Sequence, residues 1–180
     1  MISSLLAWLV PAILLFWCVG AYNRLVRLRA EVKSAFANVE VELLRHIQLA
    51  QDLPRDDDDL ARFTGPRPLW TPVHAATAQL TSSLASARAR PLDPQGIAAL
   101  QSAGQVLGMA WERAEREDAH DLAGSRLPES VSASRAQVVL QVQAAAQQFN
   151  AAVNRYNQAI AQFPAVLLAW VFGFKAGGTL

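Results

Sequence analysis

The feature that most constrains this chain is a seven-residue apolar repeat near its carboxyl end. Val138, Val142, Ala145, Phe149, Ala152, Tyr156, Ala159 and Phe163 follow one another in alternating steps of four and three. That period places one apolar seam along a long helix, facing another helix. The flanks are rich in amides, including Gln147, Asn150, Asn154, Asn157 and Gln158, and Arg155 is the only charge between Gln137 and Gln162. Pro164 stops the helix, because its ring removes a donor and crowds the preceding turn. Ala165 to Phe174 then carries no polar side chain. So short a run cannot span a bilayer, which takes about 20 residues. Two placements stay open for it: an interfacial segment in lipid, or a flap that completes the core.

The amino end is apolar in a different way. Residues 2–20 hold no charged side chain, and Trp8 and Trp17 stand near the two ends of the run. The length is at the short end of a membrane span, and tryptophan favours the headgroup region. Pro11 is tolerated in such a helix when neighbours adapt. Residues 1–21 are therefore expected to be a transmembrane anchor. No Lys or Arg precedes the run, while Arg24, Arg27, Arg29 and Lys33 follow it. Positive flanks stay on the cytoplasmic side, which puts the main domain in the cytoplasm and the amino end outside. The competing reading is a cleaved signal peptide ending at Val19-Gly20-Ala21, but the basic leader such a peptide needs is missing. Cys18, the single cysteine, reads as a small apolar residue of the anchor.

Between the anchor and the final helix, three further helices are expected. The first runs from about Ala21 to Leu53, continuing the anchor, with its stripe at Leu25, Leu28, Val32, Phe36, Val39, Leu43, Ile47 and Ala50. Leu53-Pro54 ends it. Asp56 to Asp59 is a solvated loop, since four adjacent carboxylates lack the alternation a calcium loop requires. It caps a short turn, Leu60 to Phe63, and the loop continues to Pro68. The second helix spans about Pro72 to Ala89, on Val73, Ala76, Leu80, Leu84 and Ala87, and its Thr- and Ser-rich outer face needs packing to hold it. Asp93 caps the third, which runs from Pro94 to about Ala123 on Ile97, Leu100, Gly104, Leu107, Trp111 and Ala114. Gly104 and Gly108 are expected to admit a close neighbour. Gly124 and Pro128 close that helix, and the last one begins at Glu129 or Ser130.

Little in the chain suggests chemistry. His46, His74 and His120 lie at no metal-ligand spacing and read as partly exposed residues. No glycine-rich phosphate loop, zinc-protease helix or nucleophile elbow is present in the sequence. The expected protein is not an enzyme and uses no cofactor or metal. A net charge of +1 offers no electrostatic case for nucleic acid.

Several words of the sequence resemble a known family. Phe149-Asn150-Ala151-Ala152-Val153-Asn154-Arg155-Tyr156-Asn157, then Ile160, Phe163-Pro164 and Gly173-Phe174, resemble the carboxyl-terminal signature of the LemA family. Tyr22-Asn23, Leu25 and the run Val39 to Arg45 are similar to that family's first helix. The resemblance implies a bacterial protein with one membrane segment and a long antiparallel helical domain, and no particular activity. The expected fold is all-α: a transmembrane helix, then an antiparallel up-and-down bundle of long helices over residues 22–164, then the apolar segment 165–180. The candidate interaction or structural motif is Tyr22, Asn23, Phe149, Asn150, Tyr156, Asn157, Phe163, Pro164, Trp170 and Phe172. The two Tyr-Asn pairs fall at one end of such a bundle, serving either packing or a membrane-proximal contact. Two functions remain: a membrane-anchored scaffold or assembly protein at the inner face of the cell membrane, or a single-pass regulator that binds a cytoplasmic partner. Expected partners are the lipid bilayer, further copies of the chain and unidentified proteins, with no nucleic acid. The amide-rich flank of the last helix and the two glycines motivate the homo-oligomer.

Overall fold

The structure, a computed structural model, describes residues 2–53, 69–119 and 129–180, with the side chains of residues 2–7, 10, 11, 14, 119 and 129 excepted. The Asp56 to Asp59 run, the Leu60 to Phe63 turn, His120 and the Gly124 and Pro128 stops lie outside the described residues. Among those described, the chain is all-helical: α1 Ile2–Gln51, α2 Thr71–Ala89, α3 Pro94–Ala119, α4 Glu129–Ala161 and α5 Ala165–Phe172.

α1 is one piece from Ile2, so the uncharged amino run and the first bundle helix share a single axis. At about 1.5 Å per residue, its 50 residues reach roughly 75 Å. Every member of its expected stripe, from Leu25 to Ala50, is buried. Among the described residues no helix is long and apolar enough to cross a membrane. Several side chains of the 2–20 run lie outside those residues.

The short helices obey local rules. α2 has proline in its first turn, and its weak helix formers bond back onto the helix: the hydroxyls of Thr77 and Thr81 donate to the carbonyls of Val73 and Thr77 at 2.7 and 2.8 Å. What holds α2 is its buried stripe, Val73, Ala76, Leu80, Leu84 and Ala87. The four-residue turn Arg90 to Asp93 follows, in which the Arg90 N–H donates to the Ala87 carbonyl. Asp93 then caps α3, its Oδ2 accepting the Gly96 N–H at 3.0 Å.

α1 packs antiparallel against α4 over most of their shared length, and α2 pairs with α3. Contacts of α1 with α2 join the two pairs. Cross-links fix the α1–α4 register. Arg24 donates to Gln162, Arg155 pairs with Glu31 at 3.7 Å, and the rings of Phe36 and Phe149 meet edge-on with centroids 5.7 Å apart. Trp70 and Trp111, both fully buried, close the far end of the core with centroids 6.3 Å apart. Each buried Leu, Ile or Phe here contributes about 1.5–3 kcal/mol.

Three expectations are corrected by the packing. Gly104 and Gly108 admit no close neighbour: a Cβ on either would meet nothing within 4 Å. α3 and α4 make no contact comparable to the other pairs, and the glycines line a cavity of about 480 Å³ between them. His46 is not partly exposed but buried, under Arg135 of α4. Phe163 leaves the seam. α4 stops at Ala161, two residues before it, so the helical register is lost and the ring is 62% exposed.

Candidate functional site

Most residues singled out by sequence lie toward the end of the bundle where α4 hands over to α5, with Phe149 and Asn150 about three turns back along α4. α4 carries Phe149 and Tyr156 into the core, each essentially without exposure. They sit two turns apart on the seam that faces α1, so the helical repeat positions both. Burial raises the Tyr156 hydroxyl above its ordinary pKa, and the nearby Arg29 partly opposes that. The side chain therefore stays a neutral donor.

Pro164 is buried and begins the turn into α5. α5 lies across α1 and α4 and buries only its two small residues, Ala165 and Ala169. Its large ones, apart from the half-buried Leu168, face outward: Trp170 is 86% exposed, and Val166, Leu167, Val171 and Phe172 are exposed as well. α5 thus turns its small residues to the bundle, and beyond it Phe174 and Leu180 pack on the core. Phe163 stacks edge-on against Trp17 of α1 at 5.4 Å, and Phe172 lies against Tyr22 at 5.3 Å. α5 thus sits beside the part of α1 where the uncharged run gives way to Arg24.

Gly173 ends α5 in the left-handed region, at φ 69°, where a side chain would be strained. The chain reverses there, and residues 174–180 run back along α4. Two asparagines hold this tail. Asn157 receives the Gly177 N–H at 2.8 Å and donates to the Gly177 carbonyl at 3.0 Å. Asn150 does the same with Leu180, at 2.8 and 2.7 Å. The spacing explains the match. Seven residues of helix rise about 10 Å, and three residues of extended chain cover about the same distance. Each side-chain amide thereby pairs with the N–H and the carbonyl oxygen of one tail residue, as a strand neighbour would. Both tail glycines press on the α2–α3 turn. A Cβ at Gly177 would lie 2.7 Å from the Leu92 side chain, and one at Gly178 would lie 2.8 Å from the Pro94 backbone.

The Tyr-Asn pairs are not brought together. Tyr22 packs on Phe172 and Phe174, while Tyr156 lies near Arg29, two turns further along α1. Asn23 is exposed. Sequence reasoning placed Asn150 and Asn157 in the motif but missed their partner, the tail. Its available signal was the seven-residue spacing of the two asparagines beside a terminal segment with paired glycines. The other amides of that flank, Gln147, Asn154 and Gln158, are exposed.

The model of the LemA family matches residues 73–179, from α2 through the tail. The chain belongs to the LemA family. The match takes in the asparagine clamp, α5 and all but the last residue of the tail. α1 of this LemA-family chain lies ahead of the matched region. No curated protein and no solved structure matches the chain.

Proposed function

We propose that this LemA-family protein is a non-enzymatic, membrane-anchored helical scaffold at the inner face of the bacterial cell membrane. The observation that supports it is an apolar belt at one end of the bundle. From α1, Trp8, Leu9, Ile13, Leu15, Phe16, Trp17 and Val19 are all about half exposed or more. From α5, five large apolar side chains join them, and the Trp17–Phe163 and Tyr22–Phe172 contacts make the two groups neighbours. Contiguous apolar surface on this scale marks contact with protein or lipid. Lipid fits best, because residues 2–20 are uncharged and Arg24, Arg27 and Arg29 follow immediately.

On this reading residues 2–20 cross the bilayer and α5 lies in its cytoplasmic interface. Transferring the five large side chains of α5 contributes on the order of 5 kcal/mol before ordering costs. The amide-rich outer face of α4 is the surface left for self-association or for protein partners. A reporter fused after Leu180 should be active only as a cytoplasmic reporter, and the protein should resist alkaline extraction from membranes. An external carboxyl terminus, or release by alkali, overturns the proposal.

The second reading, a single-pass regulator, draws on the unbroken α1, which would couple the membrane mechanically to the bundle. The size of the detergent-extracted protein separates the two. A discrete homo-oligomer fits the scaffold, and a monomer that copurifies with a cytoplasmic enzyme fits the regulator.

A further inference from the structure

Among the described residues most arginines are neutralised. Arg27, Arg45, Arg88, Arg113, Arg135 and Arg155 each form an ion pair with a glutamate. Of the described cations that pair with no carboxylate, Arg24 bonds instead to the Gln162 amide, and the other four come together. Arg29 and Lys33 of α1, Arg90 of the α2–α3 turn and Lys175 of the tail pair with no carboxylate among the described residues. All four line one cavity of about 340 Å³. They come from three separate segments, so the fold and not local sequence assembles them. The cavity's one carboxylate is Asp93, and it is engaged in capping α3 through the Gly96 N–H. Like charges gathered in this way repel one another, and an anion would relieve the repulsion.

A second, independent observation lies in the cavity wall. Tyr156 lines it, is 1% exposed, and its hydroxyl bonds to no described residue. The group is not sealed in the core: it opens onto the cavity beside Arg29, where it can donate to an acceptor that enters from outside the chain. Phe174 supports the arrangement from beneath, with the Arg29 guanidinium 5.9 Å from its ring centre.

We propose that this cavity binds a phosphate-bearing anion, held by Arg29, Lys33, Arg90 and Lys175 and hydrogen-bonded by the Tyr156 hydroxyl. Guanidinium groups match phosphate oxygens two at a time, and the lysines add point charges. The size of the cavity is at the small end of ligand pockets, suited to a headgroup or a small phosphate compound and not to a nucleic acid. The site stands on its own geometry and does not require the membrane reading.

The test uses the full chain in a nonionic detergent at low salt. One calorimetric titration uses inorganic pyrophosphate, and a second uses a short-chain phosphatidic acid carried in the same micelles. At least one ligand should bind saturably at one site per chain. Lys33→Gln with Arg90→Gln should weaken that binding about tenfold or more, and Tyr156→Phe should weaken it about threefold. Arg45→Gln with Arg113→Gln removes the same charge elsewhere and should leave affinity within about twofold. Melting curves establish that every variant is folded. Binding of pyrophosphate alone identifies a soluble phosphate compound as the ligand, and binding of the lipid alone identifies a headgroup. The proposal fails if neither ligand saturates on the unmodified protein, or if the control pair weakens binding as much as the cavity pair.

Discussion

Replacing Asn157 by alanine should free the carboxyl-terminal tail without unfolding the bundle. The substitution removes two hydrogen bonds, one to each backbone group of Gly177. Each is worth about 1 kcal/mol net in a partly buried setting, so the closed tail loses about 2 kcal/mol. Ordering the backbone costs about 1–2 kcal/mol per residue, so the four residues from Gly177 to Leu180 cost about 4–8 kcal/mol to fix. Four clamp bonds offset only about 4 kcal/mol of that, and the packing of Phe174 and Leu180 on the core must supply the rest. The tail is thus held by a narrow margin. A loss of about 2 kcal/mol should raise the population of the open tail, and the exchange rate of the Gly177 amide, on the order of 30-fold. The loss of global stability is capped at the free energy of tail opening, because once the tail is off the substitution has nothing further to break. Hydrogen exchange read at Gly177 and Leu180, beside amides in the middle of α3, measures both effects. Unchanged exchange at Gly177 in the Asn157→Ala protein would refute the clamp. Equal acceleration in α3 would show that the tail belongs to the global unit.

The glycines give a matched pair of opposite sign. Gly178→Ala drives a Cβ to within 2.8 Å of the Pro94 backbone and should release the tail as the asparagine substitution does, seen in the same exchange experiment. Gly104→Ala meets nothing within 4 Å and should raise stability by up to about 1 kcal/mol in thermal denaturation, through helix propensity alone. His46 should make stability depend on pH. Burial, reinforced by Arg135, holds its folded pKa below the ordinary 6.5. Between that lowered value and 6.5 the unfolded chain binds more protons than the folded one, so stability should be full above about 6.5 and fall as the pH drops through the window. His46→Gln should flatten this slope in denaturant titrations at pH 5 to 8, and a persistent slope would assign it to another group.

The helices and their inward faces were legible in the sequence because both follow from local rules. The stripe from Leu25 to Ala50 and the stripe from Val73 to Ala87 are buried residue for residue, since a period near 3.6 leaves one apolar face no alternative to burial. The Asp93 cap and the Pro164 break are equally local: each needs only its own turn of chain. The candidate motif was legible in part. Phe149 and Tyr156 take the core positions that the seven-residue repeat assigns them, while Phe163 does not, because the repeat continues in the sequence past the point where the helix stops.

What the tertiary structure decided is whatever depends on which elements meet. Two glycines four apart read the same whether a neighbour fills the space above them or leaves a groove, and only the wide α3–α4 spacing made it a groove. Nothing within Asn150 or Asn157 announces a partner twenty or thirty residues away; the reversal at Gly173 puts the tail alongside them. An all-apolar decapeptide has no polar face to set its orientation, so the choice of Ala165 and Ala169 for the inside came from the close approach of α1 and α4. Arg29, Lys33, Arg90 and Lys175 are unremarkable apart, and they share a cavity only because the α2–α3 turn and the returning tail both end against α1. Contacts between residues distant in sequence depend on the geometry of the whole chain, and no local period encodes that geometry.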